Sequence, residues 1–122
     1  MAVTSRPSSE FDAPERWAVD AGSADIATLD IPPSAHRRRD FAIDVRLVVR
    51  AAGPAAWQAM RIELDGVREW SRRIDTHGAT DTLDYHCRRV LEIGQALRVR
   101  VVTQAGSAQR VRLVIEAEEQ AR

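Results

Sequence analysis

The chain has 122 residues, of which 44% are hydrophobic and 30% charged, which fits one globular domain of ordinary composition. Its 18 basic residues equal its 18 acidic residues, and this balance disfavours a general nucleic-acid binder, which needs a basic excess. No apolar run reaches the ~18 residues that a membrane-spanning helix requires, and the single cysteine excludes an internal disulfide framework.

Charge is distributed unevenly along the chain. Residues 1–35 hold six acidic residues and two arginines, whereas residues 36–122 hold twelve acidic residues and sixteen arginines. Residues 1–24 contain few apolar side chains, so we expect a flexible acidic N-terminal segment with at most a helical turn over residues 13–19. Its charge is opposite to that of the following body, so we also expect it to fold back on that body.

The cellular setting is predicted from what the sequence lacks. No apolar stretch follows the N-terminal arginine, so no secretory signal is visible and we expect a cytoplasmic protein. Export by a route without such a signal remains compatible with the sequence. The chain contains neither lysine nor asparagine, which we interpret as the codon bias of a GC-rich bacterial genome.

Short apolar runs separated by turn residues begin near residue 25. Ile26–Ile31 predicts a first strand, which Pro32 ends because proline cannot donate to a central ladder. Residues 41–50 alternate between apolar and polar side chains, a period typical of a half-buried strand. Met60–Leu64 alternates again and runs into Asp65-Gly66, which is a strong signal for a β-hairpin.

The return strand of this hairpin, which starts at Val67, has two possible registers. A two-residue loop with regular pairing would place Ile62 opposite Glu69 and turn Trp70 outward. One additional residue in a bulge would bring Trp70 to the buried face. We predict the bulge, because burying a tryptophan is favourable and burying a glutamate is costly.

The strongest alternation in the chain lies near its C-terminus. Residues 97–117 read as two strands joined by a polar loop, and we predict that they pair with each other as a hairpin. Keeping both apolar faces on one side limits the possible registers, and the loop around Gly106 then places Val99 opposite Ile115. On the outer face the same register places Arg98 opposite Glu116.

The complete series contains seven or eight short strands and no long amphipathic helix. This spacing predicts an all-β fold, an antiparallel β-sandwich that is immunoglobulin-like or jelly-roll-like, with a small closed β-barrel as the alternative. We expect residues 25–118 to form this single domain and residues 119–122 to form a C-terminal tail.

The densest polar cluster lies in residues 75–87, which read as a hairpin with metal-binding side-chain types. Successive strand residues point to opposite faces, so only Asp84 and His86 could share an ion there. A structural zinc site needs four ligands, and we therefore predict no bound metal and no cofactor. Cys87 shares a face with apolar neighbours, which favours a buried, inert thiol.

Binding residues are predicted from two side-chain types. The outward-facing side chains of Arg46, Arg100 and Arg112 could bind phosphate, carboxylate or an acidic partner. Trp57 and Trp70, where exposed, could stack on a sugar ring. We treat all five as candidate ligand-binding residues, with no catalytic residue among them.

These observations predict a non-enzymatic interaction module that docks on a protein partner through loops or an edge strand. One alternative is carbohydrate or small-ligand binding through exposed tryptophan. The other is a metal- or cysteine-dependent enzyme centred on residues 75–87. The sequence contains no phosphate-binding glycine motif and no nucleophile elbow, so we expect no enzymatic activity.

Overall fold

A computed structural model describes residues 13–121 of the chain. Within this range the chain forms eight β-strands and no helix. In chain order the strands are β1 (Arg16–Asp20), β2 (Ile26–Ile31), β3 (Arg39–Ala51), β4 (Trp57–Leu64), β5 (Val67–Asp75), β6 (Thr80–Leu91), β7 (Leu97–Gly106) and β8 (Ala108–Glu119). No helix in this range is therefore long and apolar enough for a membrane crossing.

The strands form two four-stranded antiparallel sheets that pack face to face. Sheet A has the order β1-β8-β3-β6 and sheet B the order β2-β7-β4-β5. Among the eight described strands, only β4 and β5 are neighbours both in sequence and in a sheet, and every other connection crosses between the sheets. This is the double Greek-key arrangement of a jelly roll. The predicted antiparallel sandwich is confirmed in its jelly-roll form.

The core lies between the sheets and follows from the alternation in the sequence. Every second residue of the central strands is buried, as in β3, where residues 39 to 49 alternate between buried and more exposed positions. In the described part of the chain, nineteen apolar residues form one continuous buried cluster. Burial of this kind is the main favourable contribution to folding.

The β4–β5 hairpin has the predicted bulge. Asp65 and Gly66 both have positive φ angles, 50° and 82°, as a two-residue type I′ turn requires. The register shifts between Ile62 and Glu63, which places Trp70 opposite Ile62 on the inner face. Trp70 is half-buried and packs against the core.

The predicted pairing within residues 97–117 is wrong. β7 lies in sheet B and β8 in sheet A, and the chain crosses between the sheets at Ser107. Val99 is opposite Leu29 and Leu64, while Ile115 is opposite Val19 and Val45. The predicted faces are nevertheless right, because Val99 and Ile115 are both fully buried.

The outer-face pair predicted for these strands is also wrong. Arg98 forms an ion pair with Asp30 on β2, at 2.7 Å. Glu116 forms one with Arg16 on β1. Each residue thus pairs with a neighbour in its own sheet, because β7 and β8 share no ladder.

The N-terminal boundary of the sandwich lies earlier than predicted. Arg16–Asp20 is strand β1, paired along its whole length with β8, so the helical turn expected over residues 13–19 is wrong. At the other end β8 runs to Glu119, one residue into the predicted tail. The prediction that the acidic N-terminal segment folds back on the body concerns mainly residues 1–12, which lie outside the described part of the chain.

Candidate functional site

Two of the candidate arginines lie on the outer face of sheet A and are already neutralised. Arg46 donates to Asp84 at 2.8 Å, and this hydrogen bond raises the pKa of its guanidinium. Arg112 donates to Asp20 at 3.0 Å. These contacts pair cation with anion across neighbouring strands, so neither arginine presents an unpaired charge to a ligand.

Arg100 lies on the other sheet. It is on β7 in sheet B, 3.4 Å from the Glu63 carboxylate, which also accepts a hydrogen bond from Arg61 at 2.9 Å. The structure therefore does not bring Arg100 together with Arg46 and Arg112, and the three do not form one anion-binding face.

Trp57 lies on the outer face of sheet B with its ring covered. The guanidinium carbon of Arg73 is 3.9 Å from the ring centroid, a cation–π contact. The indole also crosses Gly106, where an added Cβ would lie only 1.9 Å from the Trp57 Nε1 atom. Both contacts take up ring surface that a sugar would need for stacking.

Trp70 points to the opposite side of the same sheet. Its ring centroid is 4.9 Å from that of Tyr85, and both rings pack against the core between β5 and β6. Burial, with a smaller contribution from Cys87, raises the pKa of Tyr85 to about 12. Trp57 and Trp70 therefore lie on different faces and do not form a shared stacking platform.

Residues 75–87 do not form a hairpin, because β5 and β6 belong to different sheets. Asp84 is paired with Arg46, and the His86 ring is 2.8 Å from Asp44. Among residues 13–121, no group of three or more His, Cys, Asp or Glu side chains is placed to hold a metal ion. Cys87 is a free, partly buried thiol. The absence of a bound metal stays a prediction.

A buried ionic cluster, which the sequence interpretation missed, ties the start of β1 to the end of β8. Arg39 is only 1% exposed and donates to Glu15 at 2.8 Å and to two backbone carbonyls. Arg37 donates to Glu119 and to Glu15, and the Trp17 indole N–H donates to Glu15. The internal pairing of these groups indicates a structural role.

Unpaired arginines are concentrated on β5, one of the two edge strands of sheet B. Arg68, Arg72 and Arg73 are exposed, and in the described part of the chain none of them has a carboxylate within ion-pair distance, unlike most of the other arginines. Glu69 on the same strand is paired with Arg89 of β6. The sequence shows the arginines, but only the topology shows that their strand is an edge.

The backbone of β5 also has free hydrogen-bonding groups. Thr76 N–H donates to the Ala56 carbonyl, and the register from Asp75 to Trp70 is regular. In an antiparallel ladder the backbone N–H and C=O groups of successive residues point alternately toward and away from the paired strand. Thr76 points toward the β4 side, so the backbone groups of Ser71, Arg73 and Asp75 face away from β4. They lie at the open edge of the sheet.

Strand β6, the edge of sheet A beside β5, is more protected. The Thr82 N–H donates to the Asp81 carboxylate, and the Arg88 carbonyl accepts a hydrogen bond from Arg89. Such side-chain caps and the ion-paired charges along this strand disfavour the addition of a further strand at this edge. In the described residues, β5 carries no comparable cap on its outward backbone groups.

Comparison with solved structures identifies the fold but no family. The structure is similar to part of dimeric latent PorU from Porphyromonas gingivalis, with a TM-score of 0.55, 13% identity and coverage of 85% of this chain and 11% of that chain. It is also similar to part of the mosquito-larvicidal Cry4Aa toxin from Bacillus thuringiensis, with a TM-score of 0.54, 11% identity and coverage of 83% and 19%.

A third similar structure is a family 35 carbohydrate binding module from Clostridium thermocellum, with a TM-score of 0.42, 16% identity and coverage of 84% of this chain and 97% of that chain. No protein-family model and no curated protein matches the sequence. The chain spans only 11% and 19% of the PorU and Cry4Aa chains. At 13% and 11% identity, the similarity to PorU and Cry4Aa shows a shared fold and nothing about activity or ligand.

Proposed function

We propose that this chain is a non-enzymatic interaction module that docks on a protein partner through the free edge of β5. The observation that carries the proposal is the row of outward backbone groups at Ser71, Arg73 and Asp75, inferred from the register of β5. An extended segment of a partner can add to such an edge as a further strand. Val67, at the start of β5, is 60% exposed and adds apolar contact surface at one end.

The alternatives have less support from the geometry. Carbohydrate or small-ligand binding through tryptophan needs an open ring face, whereas Trp57 is covered by Arg73 and Trp70 packs on Tyr85. A cysteine enzyme needs a base close to the thiol, whereas His86 is bonded to Asp44 and lies on the opposite face of β6 from Cys87.

The test replaces one free-edge residue on each side of sheet B. In Ser71→Pro the lost N–H faces outward, so proline removes a docking donor without removing a ladder bond. Thr28→Pro is the matched control on β2, the other edge strand of sheet B. Thr103 N–H donates to the Asp25 carbonyl, so by the same alternation along β2 the backbone N–H of Thr28 faces outward.

We expect a partner captured from cells of the source organism to be retained by the wild-type chain and Thr28→Pro and lost by Ser71→Pro. Hydrogen exchange of the captured complex should show slowed exchange at the Arg73 amide. All three proteins should have the same thermal unfolding midpoint. Retention of the partner by Ser71→Pro would contradict docking at β5.

A further inference from the structure

We propose that the segment pairing with β5 is acidic, an extended stretch of the partner with Asp or Glu side chains along it. This inference rests on the proposed function and names the chemistry of the partner at the same edge. Charge complementarity carries it, since Arg68, Arg72 and Arg73 lie on this strand without carboxylate partners among residues 13–121. An added strand brings its own side chains beside those of the edge.

The arginines flank the added strand on both of its faces. Arg73 lies on the outer face of sheet B, the face on which it contacts Trp57. Arg72 is opposite Met60, a core residue, so its side chain leaves the strand on the inner side, toward the seam between the sheets. Alternate residues of an added strand also point to these two sides, so carboxylates on either side of the partner segment can meet a guanidinium.

The same charges disfavour the other occupants of this edge. A second copy of this chain pairing through β5 would bring three more arginines against Arg68, Arg72 and Arg73, with only Asp75 of each strand, besides the Glu69 that Arg89 already pairs, to offset them. A basic segment would meet the same repulsion. Most other described arginines already have an internal carboxylate, as Arg46 has in Asp84, so β5 is where an external carboxylate gains most.

The experiment uses three probe peptides and the full chain. The first alternates Thr and Glu over eight residues, the second replaces Glu by Lys, and the third replaces Thr of the first by Pro so that it cannot pair in register. Amide chemical shifts are followed by NMR at low salt. We expect the Thr-Glu peptide to shift the amides of Ser71, Arg73 and Asp75, and the other two to leave them unchanged.

Charge variants test the arginines directly. Arg72→Glu should weaken binding of the Thr-Glu peptide by about tenfold. Arg50→Glu is the matched control: Arg50 is also exposed and without a carboxylate partner in the described residues. It lies on β3 rather than β5, so its substitution should leave binding unchanged. For the wild-type chain, binding should weaken steeply as added salt shortens the screening length. This salt titration needs no variant and stands even where Arg72→Glu fails to fold.

Three outcomes distinguish a failure of this inference from a failure of the proposed function. Equal binding of the Thr-Glu and Thr-Lys peptides at β5 would overturn the acidic partner and leave edge docking intact. Concentration-dependent dimerisation of the wild-type chain that Ser71→Pro abolishes would overturn it in favour of a second copy. Retention of the native partner by Ser71→Pro contradicts the docking site itself.

Discussion

Removing the charge of Glu15 tests whether the buried ionic cluster holds the start of β1 against the end of β8. Arg39 is 1% exposed, and Glu15 is its carboxylate partner at 2.8 Å. Glu15 also accepts a hydrogen bond from Arg37. Glu15→Gln keeps the shape and one carbonyl acceptor but leaves the Arg39 cation buried without its anion.

The expected cost at neutral pH is about 3 kcal/mol of unfolding free energy, the lower end of the range for removing one partner of a buried ion pair. The lower end applies because the Glu15 side chain is 26% exposed, so solvent screens part of its charge. Glu119, whose side chain is 6% exposed, stays paired with Arg37 and keeps a negative charge in the cluster.

The pH dependence has a defined sign. Burial raises the pKa of Glu15. The hydrogen bonds from Trp17 and Arg39 and the charges of Arg39 and Arg37 together lower it by more, so its pKa in the folded chain lies below the ordinary 4.5. A carboxyl with a depressed folded pKa stabilises the protein above its unfolded pKa. That stabilisation is lost as the pH falls below 4.5 through the folded pKa.

The assay is urea unfolding followed by tryptophan fluorescence at pH 7 and at successively lower pH. The difference between wild type and Glu15→Gln should be largest at neutral pH and shrink below pH 4.5. Asp84→Asn is the matched control, because Asp84 also pairs with an arginine at 2.8 Å but both side chains are more than half exposed; its effect should be much smaller. Equal effects of the two substitutions, or a difference that grows in acid, would refute the reasoning.

Three further substitutions have defined outcomes. Gln58→Met should raise the unfolding free energy by about 1–3 kcal/mol in urea titrations, because the Gln58 amide is fully buried with no protein partner in the described range. Gly106→Ala should lower the unfolding free energy by about 1–3 kcal/mol, because the added Cβ would overlap Trp57. Its thermal melting is compared with that of Gly53→Ala, where the added Cβ would have its nearest neighbour at 3.8 Å. Ile115→Ala should cost about 2–5 kcal/mol, measured by urea unfolding, because the side chain is fully buried.

Each of these has a contrary result. A destabilised Gln58→Met would mean that the amide has a partner in solution. Equal melting temperatures for Gly106→Ala and Gly53→Ala would show that Trp57 does not lie across Gly106. A loss below 1 kcal/mol for Ile115→Ala would place that side chain outside a packed core.

The site was only partly accessible to sequence reasoning. Periodicity predicts that Arg46, Arg100 and Arg112 point outward, and they do, but their strand neighbours supply carboxylates such as Asp84 and Asp20. A single sequence shows which face a residue takes and not which strand lies next to it. For the same reason it could not show that Arg72 lies on an edge.

The alternation of apolar residues by itself determined strands such as β3 and β4, their inward faces and the bulge at Trp70, but not β1 at Arg16–Asp20, where the sequence predicts a helical turn instead. A strand that buries one face needs a period of two wherever the strand lies, and a tryptophan opposite Ile62 satisfies that requirement. The sequence likewise determined the turn at Asp65-Gly66, because positive φ at both positions is a local property.

Only the tertiary structure decided which strands pair. The faces of Val99 and Ile115 are the same whether β7 and β8 lie side by side in one sheet or opposite each other across the core, so periodicity cannot distinguish a hairpin from a crossover. The crossover pairs β8 with β1 and β3. Packing of all the inward faces at once makes that choice, and with it leaves β5 at the edge of its sheet.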